Sequence, residues 1–172
     1  NNIHGAIHEV PARFINPEFS PILAGGAGAY TYVNKLRDEA KAGGDAVFLT
    51  DAGNVFQGTQ LGTQDGGSKM IQWMNWMSYD AFVPGVRDFD QGVLNLSRLS
   101  EKAEFPFLAA NLKGVNGIKD NKIVEIGKIK TINIGNREIE IKAWKSGHTD
   151  NDLSIYDKKT RFLWSENIFI ER

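Results

Sequence analysis

The residues best suited to chemistry lie in one stretch, Asp51-Ala52-Gly53-Asn54-Val55-Phe56-Gln57-Gly58-Thr59. It follows Ala46-Val47-Phe48-Leu49-Thr50, a short apolar run that reads as a buried strand. In α/β proteins, ligands bind beyond the carboxyl ends of such strands, where the chain opens into loops. Asp, Gly and Asn are also turn residues, so a plain strand-to-loop turn is the competing reading. His4, followed by Gly5, reads either as a metal ligand or as a turn residue. A second loop, Pro84-Gly85-Val86-Arg87-Asp88-Phe89-Asp90, also brings charged groups to the end of an apolar run, Ala81-Phe82-Val83.

The elements that must position these loops follow from periodicity. Residues 6 to 21 contain three of the five prolines and little pattern, which predicts a long irregular loop. Gly25-Gly26-Ala27-Gly28 then opens a helix with Ala29, Tyr32, Val33, Leu36 and Ala40 on one face, ended by Gly43-Gly44. These glycines lack the lysine and spacing of phosphate-binding loops and read as helix entry. Ser68 is placed to cap a helix whose Met70, Trp73, Met74 and Met77 form a stripe, expected to face the core. Val93, Leu96, Leu99 and Ala103 mark another helix, and residues 105 to 111 another strand. Helix and strand alternating in this way mean parallel strands with right-handed crossovers. Later, residues 122 to 134 and 137 to 144 alternate apolar and polar around Gly135-Asn136, which predicts a β-hairpin. Beyond Lys145 only Gly147-His148-Thr149-Asp150, a polar segment and Ile168-Phe169-Ile170 stand out.

Composition narrows the function. The 172 residues suffice for one domain with a real core or for part of a larger one. A formal net charge of -1, with no basic block, argues against nucleic acid as a partner. No apolar run is long enough to span a bilayer. The absence of cysteine excludes disulfides, zinc-thiolate sites and thiol catalysis.

Taken in order, these stretches resemble the N-terminal catalytic half of the 5'-nucleotidase family, within the calcineurin-like metallophosphoesterases. Asn1-Asn2-Ile3-His4-Gly5 resembles the family's Asn-Asp-x-His-Gly, and Asp51 to Thr59 resembles its Asp-Ala-Gly-Asp-x-x-Gln-Gly-Thr. Met74-Asn75 to Tyr79-Asp80-Ala81 resembles Met-Asn-x-x-x-Tyr-Asp-Ala, and Gly85 to Asp90 resembles Gly-Asn-His-Glu-Phe-Asp. Phe107 to Asn111 resembles a strand ending in Ala-Asn. The resemblance implies an α/β fold: a metallophosphoesterase-like β-sandwich flanked by helices, here shortened or partial, with a C-terminal β-hairpin. The whole chain, residues 1 to 172, is expected to form one domain, family-like over 1 to 144 and divergent over 145 to 172. The strand expected to lead into Asn2 and His4 would lie upstream, so the chain reads as a fragment, a processed product or a sequence without its disordered parts.

Active members of that family hold two divalent ions about 3.5–4 Å apart. The resemblance places their first Asp ligand at Asn2, keeps the His ligand as His4 and puts the bridging Asp at Asn54. It places their Asn ligand at Val86 and their transition-state His at Arg87. Asp51, Gly53, Gly58, Gly85, Phe89 and Asp90 are retained. Hard divalent cations at close quarters need anionic oxygen, and each lost carboxylate is worth on the order of several kcal/mol. The expectation is therefore a degenerate site with no catalytic residues and no cofactor, in which Asn2, Asn54 and Arg87 hold an anion such as phosphate or a nucleotide. In the competing reading Arg87 pairs with Asp88 or Asp90. The alternative function is an active nucleotidase with one divalent metal ion held by His4, Asp51, Asp90 and His148, or with ligands from another chain. Against it, Asp51 and Asp90 also suit capping of nearby N–H groups. His148 lies in a segment resembling the family's late Gly-His-x-His or Gly-His-Ser-Asn motif. A half-sandwich exposes an apolar sheet face, so either the tail after Trp144 covers it in a shortened way or the expected partner, a further protein chain or a homo-oligomer, does. The resemblance implies a periplasmic, secreted or cell-surface location.

Overall fold

In a computed structural model of the chain, the structure describes residues 2–108, 128–134, 137–144 and 152–165. The expected residues 109 to 127, the Gly135-Asn136 turn, His148 and the apolar run 168 to 170 lie outside the described residues.

Two very short strands pair antiparallel, β1 (Val10–Pro11) inside what the sequence reads as irregular loop and β2 (Ile22–Leu23) just after it. The helix α1 (Gly25–Ala42) follows, with its glycines in the first turn as expected. Its apolar face is only half-buried, and Tyr32 is 62% exposed. The strand β3 (Thr50–Asp51) pairs parallel with β4 (Ala81–Phe82), and Phe107 bridges Phe82 on the other side, again parallel. This is the arrangement that the helix-strand alternation requires.

Between β3 and β4 lie α2 (Gln60–Thr63) and α3 (Ser68–Trp76). The cap expected from Ser68 is corrected by the structure. Ser68 is already the first helical residue, Gly67 precedes it with φ of 93°, and the Ser68 hydroxyl donates to the Asp65 carbonyl at 2.9 Å. No side chain caps α3, whereas the preceding α2 is capped by Thr59, whose hydroxyl accepts from the Gly62 N–H at 3.0 Å. The methionine stripe faces inward: Met70, Met74 and Met77 are buried, and Trp73 packs against the same core. Helix α4 (Val93–Lys102) buries Leu96 and Leu99 and leaves Val93 exposed at its first turn.

The core is centred on Phe82, which meets Phe56 edge-on at 5.5 Å and Phe107 at 4.7 Å between ring centroids. Val55, Phe56, Ile71, Leu96, Leu99 and Phe105 close around them. The strand expected to be buried from Ala46 to Thr50 departs from this pattern. Among the described residues its bonds run to the residue that leads into β4: the Asp80 N–H donates to the Leu49 carbonyl at 2.8 Å, and the Leu49 N–H donates to Asp80 Oδ2 at 2.7 Å. Phe48 stays 55% exposed, because apolar identity marks a strand's burial face but does not supply the element that covers it.

The expected hairpin is present as β5 (Ile129–Ile134) and β6 (Arg137–Trp144), paired antiparallel from Ile134↔Arg137. The sequence reading stops there, whereas the chain adds β7 (Asp152–Asp157) and β8 (Phe162–Ser165) to make a four-stranded antiparallel sheet in the order β5-β6-β7-β8. The β7–β8 turn is pinned by the fully buried Asp157. Its carboxylate accepts from the Lys159 N–H at 2.9 Å, the Thr160 hydroxyl at 2.8 Å and the Arg137 guanidinium at 3.2 Å.

Candidate functional site: two loops held by one buried carboxylate

The opening segment runs alongside the loop after β3. Asn2, His4 and Gly5 donate their N–H groups to the carbonyls of Gly53 (2.8 Å), Asn54 (3.1 Å) and Val55 (2.9 Å). Asn2, His4 and Asn54 all have positive φ, at 58°, 50° and 60°. Asn and His adopt this region more readily than most residues, and its clustering here marks a backbone held in place by its surroundings. Gly53, with φ of +105°, allows the two loops to touch, since a Cβ there would meet the backbone of Gly85.

The group that joins the loops is Asp88, which is 2% exposed. Its Oδ2 accepts from the N–H groups of Asn54 (2.7 Å) and Gly85 (2.8 Å), and its Oδ1 from those of Val55 (2.8 Å) and Phe56 (3.2 Å). One carboxylate thus satisfies four backbone donors that lie outside any strand ladder. Burial raises the Asp88 carboxyl above its usual range, with the four N–H bonds pulling the other way. Sequence reasoning treated Asp88 only as a partner for Arg87. The available signal was its place in the motif, where the family carries Glu.

Asn54 is buried and uses both ends of its amide. Its Nδ2 donates to Asn2 Oδ1 at 2.8 Å, and its Oδ1 accepts the Arg87 N–H at 3.1 Å. The structure therefore brings Asn2, Asn54 and the Arg87 backbone together. The Arg87 guanidinium stays exposed, 3.9 Å from the exposed carboxylate of Asp90. At that distance and exposure the pair contributes little. Val86 is 60% exposed and has no lone pair to offer. His4 is half-buried, with Nδ1 3.2 Å from Gln57 Nε2. Asp51 is buried and accepts the Gly53 N–H at 2.7 Å, a turn-forming bond, and burial raises its carboxyl. Burial, with a smaller push from the charge of Asp51, also raises the nearby Tyr79 phenol. Among the described residues no three His, Asp or Glu side chains converge on a point that would hold a metal ion.

No protein-family model matches the sequence. The venom 5'-nucleotidase of Crotalus adamanteus is 32% identical over 150 residues, which cover 87% of this chain and 25% of that protein. The human 5'-nucleotidase is 28% identical over 153 residues, covering 87% of this chain and 26% of that protein. Among solved structures, the NAD nucleotidase of Haemophilus influenzae matches with a TM-score of 0.54 at 24% identity, over 69% of this chain and 22% of that one. The fold is thus a mixed helix-and-sheet fold of the metallophosphoesterase-like type. Within that class the chain belongs with the 5'-nucleotidases, as a partial version of their N-terminal domain. It spans about a quarter of the length of these curated relatives.

Proposed function

We propose that this chain is a catalytically degenerate 5'-nucleotidase-like domain, kept as a module that binds an oxyanion or a partner protein. The observation that carries this reading is the Asn2–Asn54 pair. At two positions where the resemblance places carboxylate ligands stand neutral amides, bonded to each other at 2.8 Å. The remaining amide oxygen of Asn54 already accepts the Arg87 N–H. This donor set does not fit two hard divalent ions, which need several anionic oxygens free to coordinate. What it does offer is N–H groups and one exposed guanidinium, which suit a phosphate or carboxylate. No residue of the described site is given a catalytic role in this reading. We place the domain outside the cytoplasm, by its likeness to the venom enzymes, and treat residues 1 to 172 as one domain with a divergent tail. Exposed Tyr32 and Phe48 favour a further chain or a second copy as the covering partner.

Calorimetric titration with inorganic phosphate and with adenosine monophosphate tests the binding version. Heat of binding that is lost in Arg87→Ala supports it, and no heat above background removes it. The retained His4 and buried Asp51 favour a second reading, an active hydrolase using one divalent ion with His4, Asp51, Asp90 and His148 as donors. Stoichiometric metal in the purified protein, together with phosphate release that disappears in His4→Ala, would establish that reading in place of the first.

A further inference from the structure

Six of the sixteen large apolar side chains left exposed among the described residues fall between residues 10 and 23: Val10, Phe14, Ile15, Phe19, Ile22 and Leu23. The two ends of this stretch are paired by β1 and β2, and Ala12 is its buried anchor. The connecting loop is tied down by its own bonds. Asn16 Oδ1 accepts the N–H groups of Glu18 at 3.0 Å and Phe19 at 2.9 Å, and the Asn16 carbonyl accepts the Ser20 hydroxyl at 2.8 Å. The Ile15 N–H donates to the Ala12 carbonyl at 2.9 Å. Phe14 and Phe19 are thereby held out at 81% and 86% exposure. At about 200 Å² per ring these two offer roughly 300 Å², and the four aliphatic side chains add roughly 200 Å². A total of about 500 Å² lies in the upper part of the range that monomers leave exposed. It also matches the apolar share of the roughly 800 Å² that each partner contributes to a stable interface.

We infer that residues 10 to 23 form a dimerisation surface, covered in solution by the same stretch of a second copy of this chain. Area is the first reason for that occupant. Charge is the second: Glu9, Arg13 and Glu18 are all exposed. The stretch therefore carries both signs, and Arg13 of one copy can meet a carboxylate of the other across a two-fold axis. A bilayer surface asks instead for several cations beside the apolar residues, and this stretch has one. A peptide added as a further strand is also disfavoured. The Ala12 N–H donates inward to the Pro21 carbonyl at 2.8 Å, so its neighbour Pro11 faces outward, where it has no N–H to offer. Contact through side chains is what remains. The surface shares no residue with the Asn2–Asn54 site and does not depend on the oxyanion reading.

Sedimentation velocity of the full chain over a concentration series is the test. The expected result is a monomer–dimer equilibrium whose dissociation constant rises at least about tenfold when Phe14→Ser and Phe19→Ser are combined. Both side chains are exposed, so the double variant keeps the circular dichroism of the native chain. Leu94→Ser, which removes an equally exposed side chain elsewhere, leaves the dimer unchanged. A chain that stays monomeric up to about 0.1 mM overturns the inference. So does a dimer that the double variant leaves intact, or one that Leu94→Ser disrupts as strongly. Flotation with phosphatidylcholine vesicles covers the other occupant: vesicle binding by the monomer, lost in the double variant, would assign the surface to a bilayer and overturn the dimer. None of these measurements involves phosphate or a nucleotide, so their failure is separate from failure of the titration that bears on the oxyanion reading.

Discussion

Replacing Asp88 by Asn changes one atom and should unsettle both loops of the site. Each carboxylate oxygen accepts two backbone N–H groups, Oδ1 from Val55 and Phe56 and Oδ2 from Asn54 and Gly85. An amide has one oxygen, so whichever way the Asn turns, two N–H donors face an NH2 group. Each buried donor left unmet costs about 1–3 kcal/mol, or roughly 2–6 kcal/mol for the pair. Removing a buried charge offsets part of this, since burial already disfavours the ionised carboxyl. The expected net loss is about 2–4 kcal/mol, a large share of the roughly 5–15 kcal/mol that holds a domain together. At about 3 °C per kcal/mol for a chain of this size, Tm should fall by about 6–12 °C. Urea unfolding gives the free energy, and hydrogen exchange of the Asn54, Val55, Phe56 and Gly85 amides gives the location. A loss below about 1 kcal/mol, with exchange at those amides unchanged, would refute the four-bond account.

Other perturbations test other parts of the same reasoning. Phe82→Ala removes a ring that touches both Phe56 and Phe107 and should cost about 3–5 kcal/mol in urea unfolding. Gly53→Ala forces a Cβ against Gly85, 2.6 Å from its Cα, at a φ of +105°. It should destabilise by at least about 2 kcal/mol, and a smaller loss would show that the loops do not meet as described. The Asp51 carboxyl is raised in the folded chain, chiefly by burial, so its neutral form is the one that folding favours. Its contribution is complete below the ordinary Asp pKa of about 3.9 and declines as pH rises through the raised value. The stability of the native chain minus that of Asp51→Asn should therefore fall with rising pH across that window. Asp157 behaves oppositely. Burial alone would raise it, but the Thr160 hydroxyl, the Lys159 and Thr160 N–H groups and Arg137 together hold it low. Its contribution is present above the ordinary Asp pKa and is lost as pH falls through the lowered one, which Asp157→Asn should abolish in a pH series of melts.

Local pattern by itself determined much of this protein. The alternation of helix and strand required the parallel pairing of β3 with β4, and the spacing of Met70, Met74 and Met77 marked an inward face. The apolar-polar alternation over residues 129 to 134 and 137 to 144 marked β5 and β6 as an antiparallel pair. These features depend on neighbours a few residues apart, and spacing along the chain reports them directly. The shared motifs likewise pointed to the 5'-nucleotidase relatives before any geometry was known.

Only the tertiary structure decided how the loops are held. The partners of Asp88 in the first loop lie 32 to 34 residues away, and those of Asn54 and Gln57 lie 52 and 53 residues away. No periodicity connects such positions, because β3 and β4 ending side by side bring Asp88 to the first loop, and the opening segment lying along that loop brings Asn2 and His4 to it. The same holds for exposure: Phe48 and Tyr32 have the residue types of a core, yet burial depends on what packs against them in space. Sequence names the groups that are able to bond or bury, and the assembled chain determines which of them meet.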